Sequence, residues 1–98
     1  MSYQIRYMRQ ALSDVRGLPG FYRHQAEDII EDLGHDPYPP KSTELRGLPT
    51  CRRVWLGRSW RIIYQVDQDG KALYVLGVRP KNAKTYQDLE LAFQPTKN

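Results

Sequence analysis

The chain reads as an α+β domain: a small antiparallel sheet with a two-helix hairpin on one face. Three observations predict it. Apolar residues recur at helical spacing between residues 10 and 33 and at strand spacing from residue 45 to 79. A proline-rich break, HDPYPP at residues 35–40, separates the two regimes. After it, an Arg-rich hairpin and an Asp-Gly turn link successive strands. The expected order is β-α-α-β-β-β plus a short C-terminal helix, a single domain over residues 1–98.

Each element has its own signal. Tyr3 to Arg9 alternates Tyr3, Ile5 and Tyr7 against Gln4, Arg6 and Met8, a first strand. Ala11, Leu12, Val15 and Leu18 then fall at helical spacing, and Leu18-Pro19-Gly20 stops that helix. A longer helix follows, with Phe21, Tyr22, Ala26, Ile29, Ile30 and Leu33 as its apolar stripe and Gly34 as its C′ residue. Beyond the prolines, LRGLP predicts a tight turn, TCRRVWL a strand, GRS a reversal and WRIIYQV a second strand. DQDGK at residues 67–71 predicts the next hairpin turn. Leu73 to Arg79 is the last strand, with Tyr74, Leu76 and Val78 on one side and Leu73, Val75, Gly77 and Arg79 on the other. Tyr86, Leu89 and Phe93 carry the spacing of a short terminal helix.

Composition narrows the function. No apolar run approaches the ~20 residues a membrane helix needs, and MSYQIRYMRQ lacks a signal peptide's apolar core. Cys51 is the only cysteine, so no internal disulfide forms, and the expected setting is the cytoplasm. The net charge of +4 is unevenly spread. Residues 1–40 carry four Arg against six Asp/Glu, whereas residues 41–84 carry ten Lys/Arg against three acids. The strands are basic and the helices acidic, a pattern suited to a polyanion held against the sheet.

Strand alternation says where. If Val54, Leu56, Trp60, Ile62, Tyr64 and Val66 face the core, then Arg53, Trp55 and Arg61 share the open side. Two guanidiniums and an indole on one sheet face suit a phosphate and a base. Arg46, Arg58, Lys81 and Lys84 read either as phosphate contacts that position without reading sequence, or as a solvated basic rim. Trp55 and Tyr86 each have a competing claim as packing residues. Neither His24 nor His35 has partners at ligand spacing, so no metal and no cofactor is expected. Cys51 reads as a small apolar residue.

These motifs together carry a resemblance. The β-α-α-β-β-β order, the LRGLP turn, WRIIYQV with its arginine and the VLGVRPKNAKTY ending are similar to the RelE/ParE toxin superfamily of bacterial toxin–antitoxin pairs, and closer to its RelE branch. The resemblance runs from about Tyr3 to Leu91. It implies a metal-free, ribosome-dependent mRNA endonuclease that cuts the A-site codon, leaving a 2′,3′-cyclic phosphate and a 5′-OH. It also implies a cognate antitoxin, with the ribosome and mRNA as further partners. Under it Arg61 matches the family's strand arginine and Tyr86 its C-terminal tyrosine. Arg53 stands where RelE carries a lysine, and Trp55 where it carries a second one. The family's loop arginine falls on Arg79 or Lys81, with Arg79 preferred, so the implied catalytic set is Arg53, Arg61, Arg79 and Tyr86.

The departures change the chemistry expected. An arginine at position 53 stays charged and clamps phosphate but is a poor general base. Tyr86, with a reference pKa of about 10 that neighbouring cations lower, is then the proton acceptor. Trp55 exchanges a charge contact for base stacking. Two other functions remain compatible with the scaffold: a ParE-like inhibitor of DNA gyrase without nuclease activity, and an inactive antitoxin-binding member.

Overall fold

The computed structural model describes residues 2–81. In chain order the elements are β1 (Gln4–Tyr7), α1 (Arg9–Arg16), α2 (Gly20–His35), β2 (Thr43–Leu45), β3 (Leu48–Leu56), β4 (Trp60–Asp67) and β5 (Ala72–Pro80). The five strands form one sheet in the order β1-β5-β4-β3-β2. Strands β2 to β5 run antiparallel, while β1 joins β5 in parallel, which makes the sheet mixed. The two helices carry the chain from β1 across to β2 at the opposite edge, and three antiparallel steps then bring β5 back beside β1. The expected terminal helix, Tyr86 and Lys84 lie outside the described residues.

The main core lies between the sheet and the helices. Val54, Leu56, Ile62, Tyr64, Val66, Leu73, Val75 and Val78 meet Ala11, Val15, Leu18, Ala26, Ile30 and Leu33 there. The expected alternation holds along β3 and β4 but breaks in β5. Ile63 pairs with Gly77 and Tyr64 with Val75, so Leu76 is an extra residue on that strand. This bulge sends Leu73, Val75 and Val78 to the helix side, and Leu76 joins the opposite face. Simple alternation from residue 73 therefore misassigns Val78.

The opposite face is not bare. Leu45, Cys51, Ile63 and Leu76 form a second apolar cluster, flanked by Met8, Leu48 and Tyr74. It fills the middle of that face and leaves its cations at one end. Strand β2, three residues too short to show a period, pairs through Thr43↔Arg53 and Glu44↔Arg52. It reaches β3 through a turn in which Gly47 adopts φ 79°, a backbone open to glycine.

The helices also differ in detail from the pattern. In α1 Leu12 points outward, and in α2 Phe21 is 73% exposed. Gly34 lies inside α2 rather than beyond it, and Asp36 caps the helix. Its role is close approach: a Cβ there would stand 2.9 Å from Ile5 Cδ1, and its carbonyl accepts from Tyr3 N–H at 2.7 Å. In the DQDGK turn the positive φ, 54°, falls on Lys71, while Gly70 N–H donates to Asp67 Oδ1 at 3.1 Å.

Candidate nucleic-acid interface

The interface is assembled at the end of the sheet where β3 turns into β4. Register places Arg53 opposite Ile63 and Trp55 opposite Arg61, so all three polar positions share the face away from the helices. The next residue across from Arg61 is Arg79 on β5. Trp55 is 44% exposed, Arg53 is half-buried, and Arg61 is buried at 8%.

Arg61 is held by backbone oxygens. Its Nη2 donates to the Lys81 carbonyl at 2.8 Å and lies 3.5 Å from the Pro80 carbonyl. Burial of a permanently charged guanidinium is tolerated when carbonyl dipoles and an aromatic face replace water. The aromatic face is Trp55, whose ring centroid is 5.9 Å from Arg61 Cζ. Lys81 Nζ stands at the same 5.9 Å from that ring. Two cations thus converge on one half-exposed indole, each within cation–π range.

Lys81 is exposed, but its backbone is not free to wander. Its N–H donates to the Ser59 carbonyl at 2.6 Å in the β3–β4 turn, and its carbonyl accepts from Arg61. The turn that carries Arg58 and Ser59 uses Gly57 at φ 61°, with Tyr22 packed against it. Arg58 and Arg46 are exposed in separate turns at the two ends of β3. The structure therefore brings Arg53, Trp55, Arg61 and Lys81 together, keeps Arg58 at the near rim and leaves Arg46 at the far end.

Arg79 behaves differently. Its Nε meets Asp14 Oδ2 at 3.2 Å, both side chains being mostly buried. The same Asp14 oxygen accepts the Val78 N–H at 2.9 Å, and Oδ1 accepts from Gln10 at 3.0 Å. Helix α1 thereby covers the stretch of the β5 edge that the short β1 leaves unpaired. Arg79 lines a groove there with Gln10, Leu18 and Trp60. Asp14 carried no signal in the sequence beyond an acid on a helix; its partners are 64 and 65 residues away. Arg52, next to Arg53 in the chain, also turns from the site: its Nε donates to Ser42 Oγ at 2.9 Å, and it lies over Tyr38.

Other reactive groups are occupied elsewhere. Burial pushes the Cys51 thiol above its ordinary pKa, the opposite of what a nucleophile needs. Tyr64 is fully buried, donates its hydroxyl to the Pro37 carbonyl at 2.7 Å and has its pKa raised by that burial. His24 sits beside Glu27 on the helix surface and His35 beside Ser2. Among the described residues no cluster of three or more His, Cys, Asp or Glu side chains can hold a metal ion. No helix among them is long and apolar enough to cross a membrane.

Residues 5–83 match the family model described as the ParE toxin of the type II toxin–antitoxin system parDE. The chain belongs to that family, within the RelE/ParE toxin superfamily. Among solved structures, the intact Escherichia coli RelBE toxin–antitoxin complex aligns over 84% of this chain and 100% of that one, with TM-score 0.74 and 25% identity. Free E. coli RelE carrying two arginine-to-alanine substitutions aligns over 84% and 86%, with TM-score 0.73 and 26% identity. A RelBE complex from Mycobacterium tuberculosis shares the fold over 83% and 100%, with TM-score 0.72 and 22% identity. No curated protein sequence matches the chain. The protein is a toxin of a toxin–antitoxin system.

Proposed function

We propose that this toxin acts as a metal-independent, ribosome-dependent endoribonuclease that cuts mRNA in the A site and so arrests translation. The observation that carries the reading is the convergence of Arg61 and Lys81 on the half-exposed Trp55, with Arg53 two residues along the same face. A phosphate needs cations fixed before it arrives, and a base needs an exposed aromatic surface; both are offered here side by side.

Cleavage proceeds by attack of the 2′-OH on the adjacent phosphorus, with the P–O5′ bond breaking. The products are a 2′,3′-cyclic phosphate and a 5′-OH. Arg61, set by the Lys81 carbonyl, stabilises the pentavalent phosphate, and Arg53 clamps a neighbouring oxygen. The 2′ proton passes to the Tyr86 phenolate, water protonates the leaving O5′, and the hydroxide so formed takes the proton back from Tyr86. Tyr86 holds this role by its place in the motif; Lys84 and Arg58 steady the flanking phosphates. No metal or cofactor takes part. A cognate antitoxin covers the toxin in its neutralised state, as in the RelBE complexes that share the fold. Action on ribosomes places the protein in the cytoplasm.

Primer extension on translating ribosomes tests this. Wild type should give new 5′-OH ends within codons, and Arg61→Ala should reduce them by roughly 10²–10³-fold, the loss typical of one transition-state donor. A second reading follows from the family match itself, which is to ParE: inhibition of DNA gyrase without nuclease activity. Loss of supercoiling by purified gyrase, with intact mRNA on ribosomes, would select it.

A further inference from the structure

A cleft of about 330 Å³ opens at the end of the sheet remote from Trp55, between the proline-rich loop and the β4–β5 turn. That volume lies at the small end of the range for ligand sites, about 300–1,000 Å³. Its walls carry opposite charges: Arg52 from β3, Asp67 and Asp69 from the end of β4 and its turn. They do not pair. Among the described residues no carboxylate lies within ion-pair distance of Arg52, whose Nε instead donates to Ser42 Oγ at 2.9 Å. Ser42 Oγ in turn donates to the Pro39 carbonyl at 2.7 Å, which fixes the guanidinium and the loop to each other. The loop sets Tyr38 beside the opening, 42% exposed, with Arg52 Cζ 5.2 Å from its ring centroid and the Gln68 side chain at its hydroxyl. Asp67 is partly used, its Oδ1 accepting the Gly70 N–H at 3.1 Å, whereas Asp69 is exposed on the turn.

Arg52 alone would attract an anion, and the two carboxylates a cation. A ligand that satisfies both walls presents acceptors along one edge and donors along the next. The half-exposed Tyr38 ring, with Pro49 and Val66 nearby, asks that this ligand also have a flat apolar face. Guanine has that form: O6 and N7 accept, while N1–H and the 2-amino group donate. Adenine puts a donor where O6 stands and has no N1–H for a carboxylate. We propose that this cleft is a guanine-binding site. Arg52 donates to O6 and N7, Asp69 accepts from N1–H and the 2-amino group, and the base lies on Tyr38. The carboxylates keep phosphate out of the cleft, so ribose and phosphate point to solvent. A free guanine nucleotide and an unpaired guanine in RNA present the same base. The site shares no residue with the cationic end of the sheet and stands whether or not RNA is cut there.

Titration of the isotope-labelled toxin with GMP, AMP and IMP, followed by amide NMR, tests this because it reports each end of the sheet separately. GMP should shift the Gln68, Asp69 and Gly70 amides along one saturable curve. AMP should bind there roughly 5- to 150-fold more weakly, the discrimination given by one bidentate pair. IMP, which lacks the 2-amino group, should fall between them. Asp69→Asn is an exposed change that leaves the Asp67–Gly70 bond in place, and it should erase the preference for GMP. Tyr38→Leu should weaken GMP binding roughly 5- to 150-fold, the range for one lost base–aromatic stack. Equal curves for GMP and AMP, shifts confined to the Trp55 indole and Lys81, or no saturable shift would each overturn the proposal. So would an unchanged GMP preference in Asp69→Asn. A 2′-O-methylated RNA oligomer with one guanine among uridines, set against its all-uridine counterpart, then names the source. Shifts of the same amides by the guanine-bearing RNA at or below the GMP concentration mean an unpaired guanine in RNA. Shifts with GMP alone mean the free nucleotide, and both results keep the site. Primer extension with wild type and Arg61→Ala judges the nuclease reading apart from this titration.

Discussion

Arg61 is buried, yet it is the side chain to which the proposed cleavage assigns the largest part. Its guanidinium is anchored on the Lys81 carbonyl and set against Trp55, so its orientation is fixed before RNA arrives. Arg61→Lys keeps the charge but loses the planar fork, and should retain only a small part of the cleavage measured on ribosomes. Tyr64 makes the contrasting case of a purely structural phenol. Tyr64→Phe removes the bond to Pro37 and should cost about 0.5–1.5 kcal/mol in urea denaturation. Its pKa is raised in the fold, so the folded state holds the phenolic proton more tightly than the unfolded chain. Its contribution is complete below about pH 10 and is lost as pH rises through the folded value. Wild-type stability should therefore decline above about pH 10, and Tyr64→Phe should flatten that decline. The core and the cationic hairpin are visible in sequence at this scale because Ile62, Tyr64 and Val66 alternate with Arg61 and Ile63. Asp14 is not visible there, since an acid on a helix has no sign of partners 64 and 65 residues later.

At the scale of elements, local patterns located most helices and strands, and long-range pairing decided the rest. Strand β2 exists because β3 offers it an edge, and three residues cannot announce a period. The parallel partner of β1 lies almost seventy residues downstream, where no turn chemistry points to it. The bulge at Leu76 breaks a pattern that reads as regular. Gly34→Ala brings a Cβ within 2.9 Å of Ile5 Cδ1; overpacking of about 1–3 kcal/mol outweighs the helix propensity of about 1 kcal/mol that alanine gains over glycine. The variant should be less stable in urea, and Ile5→Val in the same background should recover much of the loss. Asp14→Ala should cost about 1–3 kcal/mol by leaving the buried Val78 N–H and the Arg79 guanidinium without that carboxylate. For a domain of this size each kcal/mol corresponds to roughly 4–8 °C in Tm.

For the whole molecule, the division of charge seen in the sequence becomes a division of faces. The helices, of which α2 is strongly acidic, cover one side of the sheet, and Arg53, Arg61 and Lys81 gather near Trp55 on the other. Family membership makes the chain a toxin, and the proposed RNA-cutting activity rests on the cationic end of the sheet. The most direct measurement is mapping of mRNA 5′ ends on translating ribosomes by primer extension, with purified wild type and Arg61→Ala at matched concentration. Wild type should cut within codons and leave 5′-OH ends without added metal beyond that of the ribosomes, and the variant should cut roughly 10²–10³-fold less. Equal cleavage by both proteins, or none by either, would contradict it.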